Sequence, residues 1–156
     1  MEGLRSVAGP DLRPTAVLFA CGMNSVRSPM AEALTQKLFP GQIYVKSAGV
    51  RAGKLDPFVD AVMAEIGVDM SAHRPKSYLE LEESGFDLIV TLAPEAHHWA
   101  LDLTRTDAVD VEYWPTMDPT LATGSREQIL NEYRAVRDML MMRIKKRLNW
   151  TPPPSG

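Results

Sequence analysis

Ala16-Val17-Leu18-Phe19-Ala20 followed by Cys21-Gly22-Met23-Asn24-Ser25-Val26-Arg27-Ser28-Pro29 decides how this chain is read. Five apolar residues in a row suit a buried strand, and Ser28-Pro29 suits the start of a helix, where proline is favoured in the first turn. A loop of about seven residues joins the two. It carries the only cysteine of the 156-residue chain, with an arginine six positions later.

Such a loop has a specific chemical capacity. Between a strand and a helix N-terminus, several backbone N–H groups lack helical partners and can converge on an anion. Arg27 adds a planar fork for two oxyanion oxygens. The same positive field favours Cys21 as the thiolate, its nucleophilic form, and Ser28 can donate a hydrogen bond to that sulfur. Read alone, a free cysteine at a strand end can equally be a small buried hydrophobe. A cation in the first turn of a helix is mildly unfavourable, however, so Arg27 needs a reason, and a bound oxyanion supplies one.

Outward from this stretch the chain alternates strand and helix. Met30, Ala31, Leu34 and Leu38 share one face of a helix over about 28–38, and Ile43–Ser47 reads as a strand. Asp56-Pro57 opens a helix with a stripe of Val59, Val62, Met63 and Ile66, which Gly67 ends. A short helix is predicted over about 76–84, a buried strand over 86–91, a helix from Pro94 to about Leu103, and a strand over 109–113. Ser125-Arg126-Glu127-Gln128 forms a capping box ahead of a long helix striped by Ile129, Tyr133, Val136, Leu140, Ile144 and Leu148. This alternation predicts an α/β fold, a three-layer α/β/α sandwich with a four-stranded parallel sheet and the anion loop after its first strand. Ligands of such sheets bind beyond the carboxyl ends of the strands, where Cys21 lies. The predicted organisation is one domain over 15–150, a mobile tail over 1–14, and a frayed, proline-rich end over 151–156.

Composition narrows the function. The formal net charge of −3 gives no general case for nucleic-acid binding. The basic run Arg143, Lys145, Lys146 and Arg147 suits a helix C-terminus. No stretch approaches the ~20 apolar residues of a membrane helix, the N-terminus has no apolar core of signal-peptide length, and a single thiol suggests a reducing compartment. The expectation is a cytoplasmic protein, a monomer or weak dimer, without membrane or nucleic-acid partners and with no cofactor or metal. His97-His98 would not chelate one ion, since adjacent helical side chains diverge by about 100°. Arg51 and Lys54 either border the pocket and attract anions or form a solvated loop. Trp99 and Trp114 read as packing residues. Thiolate attack on a phosphate ester also needs a proton donor for the leaving oxygen. Trp114-Pro115-Thr116-Met117-Asp118-Pro119 opens on the same sheet edge, and Asp118 there is either that acid or part of a simple Asp-Pro turn.

From about Thr15 to Leu148 the sequence resembles the low-molecular-weight protein tyrosine phosphatases and the arsenate reductases built on that fold. The resemblance rests on Cys21-x5-Arg27-Ser28-Pro29 with Ala31-Glu32-Ala33, and on Ser47-Ala48-Gly49. It continues through Gly67-Val68-Asp69 with Ser71 and His73, Phe86-Asp87-Leu88, Asp118-Pro119 and Val136-Arg137-Asp138. It implies a hydrolase with a phosphocysteine intermediate. Cys21 would be the nucleophile, Arg27 the phosphate clamp, and Asp118 the general acid and then base. Gly22, Met23, Asn24, Ser25, Val26, Arg27 and Ser28 would form the phosphate-binding loop. Ser28 would stabilise the thiolate, and Asn24 would hold the loop's strained shape with Ser47 and His73 as support. Its substrate would be a phosphorylated protein or a small phosphomonoester.

Four departures qualify this. Gly22 precedes Met23 where the family usually has its glycine one place later. Val26 stands where many members carry a second, protective cysteine. The aromatics that wall a phosphotyrosine pocket are absent from Val50-Arg51-Ala52-Gly53 and from Asp118-Pro119-Thr120, which weakens the case for phosphotyrosine specifically. Arsenate reduction is the alternative, and with no further cysteine it would need an external thiol such as glutathione. A protein arginine phosphatase is a second alternative, since Ser25 is polar where tyrosine phosphatases often have an apolar residue.

Overall fold

The computed structural model describes residues 13–81, 85–105 and 108–154. The expected tail over 1–14 falls mostly outside them, and residues 151–154 form neither helix nor strand. Four strands form one sheet: β1 (Ala16–Cys21), β2 (Tyr44–Gly49), β3 (Leu88–Thr91) and β4 (Asp110–Tyr113). Their order is β2-β1-β3-β4, and every pair is parallel. The helices are α1 (Arg27–Leu38), α2 (Pro57–Ala64), α3 (Pro94–Leu103) and α4 (Arg126–Arg147).

Alternation along β1 separates the two cores. Val17, Phe19 and Cys21 point into the main core with Met30 and Leu34 of α1, Val59 and Met63 of α2, and Tyr133, Leu140 and Ile144 of α4. Leu18 points the other way, with Ala48, Ile89 and Ala100 of α3. Both faces of the sheet are therefore covered, as a parallel sheet requires. On α4 the buried stripe starts at Leu130, with Ile129 half-buried beside it. Asp87 pins the start of β1 by accepting from Thr15 N and Ala16 N at 2.8 and 3.0 Å. Glu65 ties α2 to α4 through Arg134 and Arg137, whose hydrogen bonds hold its carboxyl down to about 2.

One predicted element does not form. In place of a helix over 76–84 there is a single 3-10 turn, Tyr78–Glu80, and residues 82–84 lie outside the described set. Ser77 and Glu80 do make the capping box of a helix start. Extension of the chain just before it has a tertiary cause: Gly49 N donates to Lys76 O at 2.9 Å, and Gly49 and Ser77 form a parallel bridge.

From β1 the chain crosses to β2 on one side, and β3 lies on the other. The crevice beyond β1 and β3 is therefore the place where loops diverge, and Cys21 ends β1 there.

Candidate active site

The loop after Cys21 is zipped along one side. Cys21 O, Gly22 O, Met23 O and Ser25 O accept in turn from Val50 N (3.1 Å), Arg51 N (2.9 Å), Gly53 N (2.8 Å) and Asp56 N (3.2 Å). The carbonyls thus face the segment after β2. Among the described residues, no backbone N–H from Gly22 through Val26 donates to a protein group. Val26 caps α1 without a side-chain bond, and the first turn carries no acid. The N–H groups and the helix terminus are left for an anion.

Two residues make this curl possible. Asn24 has φ +54°, a left-handed conformation that asparagine tolerates better than most residues. Gly49 allows the approach of β2, since a Cβ there would lie 2.4 Å from Arg51 O and 2.7 Å from Asn24 N. Met23 takes no positive φ, so the displaced glycine demands no special backbone at that place.

The Asn24 side chain is fully buried and every polar atom on it is used. Nδ2 donates to Ser28 Oγ and Ser47 Oγ, both at 2.9 Å, and Oδ1 accepts from Lys76 N at 3.0 Å. Ser47 in turn donates to Glu32 Oε1 at 2.5 Å. Because Ser28 Oγ accepts from Asn24, its own hydrogen is available to the Cys21 sulfur, 2.9 Å away. The bonds thus diverge from the Asn24 amide, through Ser47 to Glu32 on one side and through Ser28 to the Cys21 sulfur on the other, and buried networks of this kind rigidify what they hold.

Arg27 reaches the other way. Its Nη1 donates to Thr116 O at 3.0 Å, and Nη2 lies 3.8 Å from Asp118 Oδ2. Asp118 Oδ1 accepts from Thr120 N and Thr120 Oγ1 at 3.0 and 2.7 Å, which leaves Oδ2 on the side of the loop. The Asp118 side chain is one-third exposed. Cys21, Arg27 and Asp118 therefore meet at one sheet edge. A buried thiol, a guanidinium and a ring of N–H donors can hold a tetrahedral oxyanion and attack its centre, and a reachable carboxyl can serve the departing oxygen.

A model of the family described as low molecular weight phosphotyrosine protein phosphatase matches residues 16–149. The chain belongs to this family. The arsenate reductase of Shouchella clausii is 34% identical over 132 residues, which span 83% of this chain and 92% of that enzyme. The glutaredoxin arsenate reductase of Synechocystis is 27% identical over 129 residues, with 83% of this chain and 92% of that enzyme covered. The low-molecular-weight protein tyrosine phosphatase of T. tengcongensis superposes with a TM-score of 0.70 at 27% identity, over 85% of this chain and 96% of that one. The phosphatase-family fold predicted from the sequence is therefore the fold observed.

Within the family frame, Cys21, Arg27, Asp118, Asn24, Ser28 and Ser47 come together where the sequence placed them. His73 lies beside the same loop, where the Asn24 backbone favours its protonated form. Its imidazole supports no side-chain bond of Asn24; Nδ1 lies 3.9 Å from Glu32 Oε1, and Nε2 is buried without a partner among the described residues. Burial, then the Lys76 charge, lower the His73 titration, with the Asn24 backbone opposing. Burial raises that of Glu32 against the Ser47 hydrogen bond and the Lys76 and Lys46 charges. Burial thus disfavours the charged form on both sides of this contact, so it is weaker than an exposed ion pair of the same geometry would suggest.

Sequence reasoning gave no role to Glu32, Lys76, Thr116 or Glu95. Glu32 was within reach of it, because it follows Ser28 by four residues and shares its helix face. Of the two loop cations, Arg51 is paired, donating to both Glu95 oxygens at 2.8 and 2.9 Å, while Lys54 is exposed. His97 and His98 diverge as expected. His97 bonds Thr91 Oγ1 and stacks on Tyr113, and His98 faces solvent. Trp114 is core, edge-on to Phe19, and Trp99 packs half-buried against Tyr78.

Proposed function

We propose that this chain is a cysteine-dependent phosphatase that hydrolyses phosphomonoesters, phosphotyrosine on proteins first among them, through a cysteinyl-phosphate. The observation that carries the reading is the double reach of Arg27, whose base joins the anion loop while its guanidinium touches Thr116 O and approaches Asp118. In the first step the Cys21 thiolate attacks phosphorus, the P–O bond to the leaving group breaks, and Asp118 protonates the departing oxygen. In the second, water attacks the cysteinyl-phosphate, Asp118 takes its proton, the S–P bond breaks, and phosphate and thiolate are released. Arg27 and the loop N–H groups hold the equatorial oxygens throughout.

Arsenate reduction is the second reading, favoured by relatives named arsenate reductases. Cys21 is the only cysteine, so no relay within the chain can accept its oxidising equivalents. External thiols would have to supply both electrons and end as a disulfide. A side-by-side panel decides between them: p-nitrophenyl phosphate and peptides bearing phosphotyrosine, phosphoserine or phosphoarginine, against arsenate with glutathione and glutaredoxin. Turnover of the phosphomonoesters supports the phosphatase. Arsenite formation with no ester hydrolysis rejects it.

A further inference from the structure

An ion pair borders the loop that follows Cys21. Arg51 N is bonded to Gly22 O, which fixes the residue against the nucleophile loop, and its guanidinium grips both oxygens of Glu95 in the first turn of α3. Glu95 Oε1 lies 3.3 Å from where a Cβ on Gly22 would stand, so the pair spans the residue next to the nucleophile. The Thr116–Asp118 segment held by Arg27 borders the same loop. A leaving group drawn out of the loop passes close to both. The Arg51 and Glu95 side chains are 58% and 48% exposed, open enough to exchange partners.

The exchange is not symmetric. An anionic leaving group that captured Arg51 would free the Glu95 carboxylate beside a bound dianion and a thiolate, which is repulsive. A cationic one that captured Glu95 would free Arg51 beside that dianion, which is attractive. Building on the phosphatase reading, we propose that Arg51 and Glu95 determine specificity by selecting a phosphoryl group that carries a positive charge close to it. That charge can sit on a basic residue next to the phosphorylated one, or within the leaving group itself, as in a phosphorylated guanidinium. Glu95 receives the cation, and Arg51 turns to the phosphoryl oxygens.

The test measures kcat/KM at low salt for three phosphotyrosine peptides that differ only in having Lys, Ala or Glu beside the phosphotyrosine, and for a phosphoarginine peptide without other charges. The protein is the wild type and Glu95→Gln. Wild type should prefer the Lys over the Glu peptide by about fivefold, the scale of an exposed ion pair, with Ala between. In Glu95→Gln that ratio should fall to about one, and the phosphoarginine peptide should lose a similar factor if its own cation is the one received. Dependence of either cationic substrate on Glu95 supports the proposal and tells which source of charge is used. A wild-type ratio near one, or a preference that survives Glu95→Gln, overturns it when phosphoarginine turnover is also unaffected by Glu95→Gln. Wild-type p-nitrophenyl phosphate, whose leaving group has no cation, separates the two levels: if it turns over while the peptide preference is missing, only the specificity proposal fails. If no phosphomonoester turns over, the phosphatase reading fails and the proposal falls with it.

Discussion

Arg27 Nη1 donates to the carbonyl oxygen of Thr116 at 3.0 Å, two residues before Asp118. One side chain therefore joins the anion loop to the segment that carries Asp118, across 89 residues of sequence. Lysine at this place keeps the charge but loses the fork. Arg27→Lys should lower kcat/KM for p-nitrophenyl phosphate by about 10²–10³-fold, the range for losing one preorganised oxyanion donor. It should weaken vanadate inhibition in parallel. A loss of less than about threefold would show that the fork is not used.

Asp118→Asn removes the transferable proton and keeps the shape. The rate should fall about 10²–10⁴-fold for alkyl or peptide leaving groups, and much less for p-nitrophenolate, which departs readily without protonation. Steady-state kinetics across a series of leaving groups measures this. Equal losses along the series would place the proton donor elsewhere.

At Gly49, β2 passes close to the loop that follows Cys21. A methyl group there would meet Arg51 O at 2.4 Å and Asn24 N at 2.7 Å, both backbone atoms that cannot turn aside. Gly49→Ala should destabilise the fold by about 1–3 kcal/mol in urea denaturation and weaken phosphate binding. A variant with wild-type stability and wild-type phosphate affinity would mean that the loop and β2 are freer to part than these contacts allow.

His73 predicts a pH dependence of stability. Burial lowers its titration below the ordinary histidine value near 6.5, so between the two values the unfolded chain holds the proton and the folded one does not. Stability from this group is present above the ordinary value and is lost as pH falls through the lowered one. His73→Asn should therefore flatten the fall in urea midpoint as pH drops below about 6.5. Parallel curves for variant and wild type would remove His73 as the cause.

Much of the site is legible in the sequence because its parts are local. Cys21, Arg27 and Ser28 share one loop and helix start, and the strand ahead of them is apolar enough to read without help. Asp118 is legible as a residue type after a strand, though its proposed role rests on the family resemblance. The parts that escaped are set by pairs distant in sequence. Lys76 N reaches Asn24 across 52 residues, and Arg51 reaches Glu95 across 44. The absent helix near residue 80 has the same origin. Its capping box is real, but Lys76 and Ser77 are already engaged by Gly49 and Asn24, and tertiary bonds override a short segment's propensity.

The lone cysteine allows the most direct test. Rapid quenching during turnover of p-nitrophenyl phosphate, followed by peptide mass spectrometry, should find a phosphoryl group on the Cys21 peptide, and Cys21→Ala should show neither adduct nor turnover. Hydrolysis that continues in Cys21→Ala, or turnover by wild type with the phosphoryl group on another residue, would contradict the account.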